Sequence, residues 1–143
     1  MNRHQQSSQV KTEDILERYA AGERDFSRQQ LSGINLSGAN LRGAKLAISD
    51  LSAADLSYAD LRGSDLSGAN LNRAKLSQAN LQGANLKTAN FEGAVLRGAN
   101  LSQTNLSWAT LKAANLFEAT LAGAILFETK LSMAVLPDGT CLD

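Results

Sequence analysis

Over residues 26–136 an apolar side chain recurs at every fifth position without a break: 23 positions, of which 21 are Leu and the others Phe26 and Phe91. Two places before each one, across residues 34–134, the side chain is small. It is Ala at 16 of 21 positions, the exceptions being Ile34, Ser49, Ser64, Thr104 and Thr129. Between the small residue and the Leu sits a polar residue, most often Asn or Asp, expected to face water. Nine of the 11 glycines fall two places after the recurring Leu or Phe, a spacing that asks for turn conformations there. A period of five fits neither the 3.6 of a helix nor the 2 of a flat strand, and a helix would smear the leucines around its surface. The small–polar–Leu triplet therefore predicts a short extended piece, and the next two residues a corner. Successive corners close a coil. Coils stacked about 4.8 Å apart place Leu on Leu and Ala on Ala in a sealed interior, which is an all-β solenoid.

The number of sides per coil stays open on these grounds. Four sides would stack residues 20 apart, pairing Lys45 with Asp65, Asp55 with Lys75 and Glu92 with Lys112 against one repulsion, Arg42 with Arg62. Three sides would stack residues 15 apart, giving two attractions (Lys45 with Asp60, Asp60 with Lys75) and two repulsions (Asp50 with Asp65, Arg97 with Lys112). Surface pairs contribute roughly 0–1 kcal/mol each, so the tally is a hint toward four.

Composition adds bounds. The chain has 143 residues, 43% hydrophobic and 20% charged, with 14 basic against 14 acidic groups. That is an ordinary single folded domain, with no charge excess to announce a polyionic partner. Aromatics are only 5%, so Leu and Ala must build the core. A lone Cys141, no long apolar run and no secretory leader point to a reducing aqueous compartment, the cytoplasm, and away from a membrane.

The ends of such a ladder expose unpaired backbone and a slice of core, so covers are expected. Residues 1–11 read as a disordered leader and residues 12–25 as a helical cap over the first coil. Within that cap Thr12 is the expected N-cap, Asp14 and Arg18 pair at i,i+4, and Gly22 stops the helix. Ile15, Leu16, Tyr19 and Ala20 share the face expected to dock, near the oversized Ile34. The solenoid occupies residues 26–136. Residues 137–143 form a tail, in which Pro137 is expected to interrupt the ladder.

Catalytic chemistry finds no footing. The sole histidine, His4, lies in the leader, so neither a Ser-His-Asp arrangement nor a multi-histidine metal site can form within one chain. Cys141 lacks a second thiol or nearby histidine. Asp50, Asp55, Asp60 and Asp65 fall on successive sides of one coil and point apart, so they cannot work as an acid–base pair. Ser49, Ser64, Thr104 and Thr129 read as buried hydroxyls bonding backbone. No catalytic residue, cofactor or metal is assigned.

Late in the chain, outward positions turn apolar: Trp108, Phe117, Ile125, Phe127, Met133 and Val135. On a four-sided coil Trp108, Ile125 and Phe127 share one face, with Phe117 and Val135 on the opposite face. Packing by the tail through Cys141 or Leu142 would explain the group, and so would a protein interface or a homodimer through the C-terminal half.

The units Ala39-Asn40-Leu41-Arg42-Gly43, Ala59-Asp60-Leu61-Arg62-Gly63 and Ala84-Asn85-Leu86 repeat the A(D/N)LXX consensus almost verbatim, and over residues 26–136 the chain resembles the pentapeptide-repeat family. That resemblance implies a right-handed quadrilateral β-helix, here of about five to six coils, and residues 16–26 look like the lead-in of cyanobacterial members. It also implies a non-enzymatic scaffold that binds an unidentified protein or regulates it. The alternative is a DNA-mimic inhibitor of type II topoisomerase (gyrase). Against the mimic, residues 26–136 carry ten basic and seven acidic groups, the wrong sign, and no inserted loop. Nucleic-acid binding is not expected either, because the Arg42 and Arg62 column continues as Gln82, Ser102 and Ala122.

Overall fold

The structure is a computed structural model describing residues 10–143. The leader's expected disorder, and His4, fall on residues 1–9, outside the described residues. Val10 lies inside them: it packs half-buried against the core and donates its N–H to Gln30 O at 3.4 Å.

Parallel bridges join Asp25 to Lys45, Gln30 to Asp50, Asn35 to Asp55 and Asn40 to Asp60, and the frame holds to Asn115 and Val135, always 20 residues apart. Four bridged sites per coil make four sides, whereas a three-sided coil would bridge residues 15 apart. Face 1 comprises residues 24–28 and every twentieth segment to 124–128. Face 2 runs from 29–33 to 129–133, face 3 from 34–38 to 134–138, and face 4 from 39–43 to 119–123.

The hydrogen bonds explain why five residues suffice for a side. In residues 54–58, Ala54 N–H donates to Leu51 O (3.0 Å) across the preceding corner and Asp55 N–H to Ile34 O (2.9 Å) on the coil below. Leu56 N–H donates to Lys75 O (2.7 Å) and Tyr58 N–H to Ser77 O (2.9 Å) on the coil above. The remaining donor, Ser57 N–H, goes to Asp55 Oδ1 at 3.0 Å. No donor is left over.

This last bond corrects the expectation that the polar slot merely faces water. Asn35, Asp65, Asn70, Asn90 and Asn115 each accept the N–H two residues on, at 2.9–3.1 Å. A short side-chain oxygen thereby satisfies the one amide the ladder does not use. At the corners Tyr58 (φ 62), Trp108 (φ 57) and Gly63 (φ 64) share the left-handed conformation, the third residue of a type II turn.

Phe26, Phe91 and the leucines from Leu31 through Leu116 are buried, and the alanines of the small slot from Ala44 to Ala119 fill the interior between them. The charge pairs used above do stack, Lys45 on Asp65 and Asp55 on Lys75. Among the described residues, however, the ion pairs formed are Arg62–Asp60 (2.7 Å), Arg97–Glu118 (3.5 Å) and Arg18–Glu23 (2.7 Å). Asp60, between Arg42 and Arg62 in influence, has its carboxyl held below the usual range, first by its hydrogen bond from the Arg62 side chain.

Helix α1, Thr12–Ala20, lies over the first coil. Its N-cap is Lys11 rather than Thr12, because the Thr12 hydroxyl is drawn to Asn35 O (2.9 Å). Asp14 accepts the Lys11 N–H (3.4 Å), and Arg18 turns to Glu23 instead of Asp14. Ile15 is fully buried and Tyr19 partly so, while Leu16 and Ala20 face solvent. Gly22 (φ 102) closes the helix, as expected of it. Val10 N–H, Thr12 Oγ1 and Tyr19 OH together satisfy the downward carbonyls of Gln30, Asn35 and Arg42.

The other end is built differently. Pro137 does not interrupt the ladder: its carbonyl accepts Glu118 N–H (2.9 Å). It occupies the slot whose N–H an Asn or Asp would otherwise cap, so the missing donor costs nothing there. The chain then turns at Gly139 (φ 89) and Cys141 bridges Val135 antiparallel. This returning strand covers face 3 alone. On the other faces the last leucines are not sealed, and Leu126 is 41% exposed.

Candidate protein-interaction surface

A left-handed corner holds Trp108 outward, 52% exposed. Its N–H donates to Phe127 O at 2.9 Å, anchoring it to the coil above. The two rings meet edge to face, centroids 5.2 Å apart at 87°, a favoured aromatic geometry. Lys87 Nζ stands 5.2 Å from the centroid of the Trp108 ring. Ser107 sits in an outward slot between Lys87 and Phe127 on successive coils, yet it is only 6% exposed. The cluster over it is closely packed rather than splayed. Ile125, bridged to Asn105, completes the group at 52% exposure.

The six residues singled out by sequence thus divide. Trp108, Ile125 and Phe127 come together on face 1. Phe117 and Val135 lie half-buried on face 3, where Cys141 bridges Val135. A Cβ on Gly139 would stand 3.4 Å from the Phe117 ring, and the Arg97 guanidinium lies over that ring at 5.2 Å. Met133 stands alone at the corner ending face 2. The tail therefore packs on face 3 and does not cover Trp108. Lys87 and Ser107, which sequence reasoning missed, carry a signal in retrospect: they share the column that ends in Phe127.

Charge is evenly spread. Within residues 26–136, faces 1 and 2 each hold three basic and two acidic groups, face 3 two of each, and face 4 two and one. Asp25, Asp55 and Asp138 have carboxyls held below the usual range chiefly by hydrogen bonds from Ser27, Ser57 and Thr140. Those groups are engaged locally, as turn caps. Of the four hydroxyls in the small slot, three bond backbone carbonyls: Ser49 to Phe26 O (3.0 Å), Thr104 to Leu101 O (2.8 Å) and Thr129 to Leu106 O (2.8 Å). Ser64 departs from the expectation, its buried Oγ having no partner among the described residues.

Five-residue sides, a 20-residue coil and a solid interior define a quadrilateral parallel β-helix whose chemistry is confined to its outer surface. The model of the pentapeptide repeats matches in eight copies, over residues 25–49, 49–87, 74–112, 89–126 and 104–137. The chain belongs to the pentapeptide repeat family, whose members form right-handed quadrilateral β-helices. Among solved structures it is similar to a pentapeptide repeat protein of Nostoc PCC 7120, at 35% identity over 84% of this chain and 94% of that one, TM-score 0.43. A pentapeptide repeat protein of the Arabidopsis thaliana thylakoid lumen shares 39% identity over 58% of this chain and 65% of that one, TM-score 0.52. HetL of Nostoc sp. strain PCC 7120, involved in heterocyst differentiation regulation, shares 28% identity over 92% and 99%, TM-score 0.36. No functionally curated protein matches the sequence. Among the described residues no helix is long and apolar enough to cross a membrane.

Proposed function

We propose that the protein is a non-enzymatic, protein-binding or regulatory scaffold: a rod of between five and six coils, about 26 Å tall at the strand spacing, that offers face 1 of its C-terminal half to a protein partner. The observation that carries this reading is the packed, half-exposed Trp108–Phe127 pair, with exposed Ile125 on the same face, left open by the tail. Fixed aromatic side chains over a rigid backbone lose little entropy on binding, and such residues dominate interface energetics. The cytoplasm is the compartment we favour, on the strength of the exposed, unpaired Cys141. An anionic mimic of DNA acting on gyrase is disfavoured because no face of the repeats carries net negative charge.

The test is affinity capture from the source cell with wild type, Trp108→Ser and Phe127→Ser as baits, alongside gyrase supercoiling with purified protein. A partner retained by wild type and lost by both variants is the expected result. Retention by both variants overturns the assignment of face 1, and inhibition of supercoiling at stoichiometric protein restores the mimic.

A further inference from the structure

Open strand edges recruit further strands. At the C-terminal end of this β-helix the tail shows how such an edge is satisfied. Leu136 N–H donates to Thr140 O (2.7 Å) and Leu142 N–H to Ala134 O (2.9 Å), flanking the antiparallel bridge of Val135 with Cys141. The same positions on face 1 are Leu126 N–H and Ala124 O on either side of Ile125, and neither has a partner among the described residues. We infer that the face-1 edge takes up one extended segment of a partner protein, running antiparallel, with an apolar side chain beside Ile125 and another opposite Ala124, the same order that sets Cys141 beside Val135 and Leu142 opposite Ala134.

Three observations favour this edge and this occupant. The residue at the pairing position is Ile125 on face 1, but Thr120 on face 4 and the exposed Lys130 on face 2, and an edge lysine discourages strand addition. Leu126 is the only leucine of the buried column exposed as much as 41%, so a strand above it would seal the core. Finally, the tail rises one strand above the last coil on face 3. It holds off a second copy stacked flat on this end, whereas a single strand on face 1 comes level with it. Main-chain bonds with alternate side-chain contacts are a known basis of peptide recognition.

The inference rests on face 1 as the contact surface, and the two fail separately. The probe is a synthetic peptide, acetyl-Glu-Thr-Val-Leu-Thr-Lys-amide, which keeps the Thr–apolar–Leu order of residues 140–142. Titrated into the full chain, it should shift the Leu126 and Glu128 amide resonances and slow their exchange, leaving those of Leu121 and Leu131 unmoved. Methylating the Leu nitrogen, the donor to Ala124 O, should weaken binding at least about tenfold. Ile125→Lys, an outward change, should abolish binding without lowering the melting temperature. No shifts at about 1 mM peptide, or binding indifferent to N-methylation, overturns the inference. So does a wild-type dimer in sedimentation that Ile125→Lys dissolves, since a second copy would then hold the edge. A silent edge together with Trp108-dependent capture removes this inference and leaves face 1 as the partner surface; Trp108-independent capture removes both.

Discussion

Ser64 offers a clean test of the interior. Its side chain is 1% exposed and its hydroxyl has no partner among the described residues, while the neighbours above and below in its column, Ala84 and Ala44, are alanines. An unpaired buried hydroxyl costs about 1–3 kcal/mol of desolvation, and Ser64→Ala deletes it while leaving no void larger than the oxygen. At this chain length roughly 2–4 °C accompanies each kcal/mol, so the variant should melt about 2–12 °C higher. Ser49→Ala is the counterpart. That hydroxyl donates to Phe26 O at 3.0 Å and accepts Gln29 N–H at 3.3 Å, and its loss should cost about 1–2 kcal/mol. Thermal and urea melts followed by far-ultraviolet circular dichroism read both. The opposite signs are the substance of the prediction. A Ser64→Ala protein no more stable than wild type would mean that the hydroxyl has an acceptor after all, and the hydrogen-bond accounting of the core would be wrong.

Enlarging Ala79, 1% exposed, to Leu should overpack the narrow interior and cost about 1–3 kcal/mol, while Gln78→Leu, on the exposed corner beside it, should leave the melt within about 0.5 kcal/mol of wild type; equal melts would reverse the inside and outside assigned here. The Asp55 carboxyl is held below the usual range by the Ser57 N–H, then by the Ser57 hydroxyl and Lys75. Its contribution is therefore complete above the ordinary carboxylate value of about 4 and is lost as the pH falls through the lower folded value. Asp55→Asn, which keeps the acceptor oxygen, should flatten that acid limb of a stability-against-pH curve, and an unchanged limb would refute the cause assigned.

What the sequence makes legible here is whatever repeats. The frame of Leu31 through Leu136, the small slot of Ala44 or Ala79 and the corner at Gly63 are each sampled many times, so chance is averaged away and the geometry follows from period alone. Features that occur once, or depend on direction, stay hidden. The preference for Asn and Asp at positions such as Asn70 looks like simple polarity until the turn brings the amide of Asn72 within 3.0 Å of its oxygen. Thr12 reads as an N-cap by composition, yet the carbonyl of Asn35, 23 residues away, claims its hydroxyl. The side-by-side packing of Trp108 and Phe127 follows once 20 residues per coil is known. Which face the tail would cover does not follow, because only the reversal at Gly139 decides it.

The mismatch between a five-residue unit and a 20-residue turn has an evolutionary corollary. Duplicating a whole turn would lengthen the molecule by about 4.8 Å and keep every side chain beneath its old neighbour. Gaining or losing a single unit would leave the hydrophobic filling undisturbed but swing everything beyond it through a quarter rotation. Trp108 would then look out over a different quadrant from the one it shares today with Lys45 and Asp65, so a lineage could reorient a recognition surface by slippage alone, without altering one contact residue.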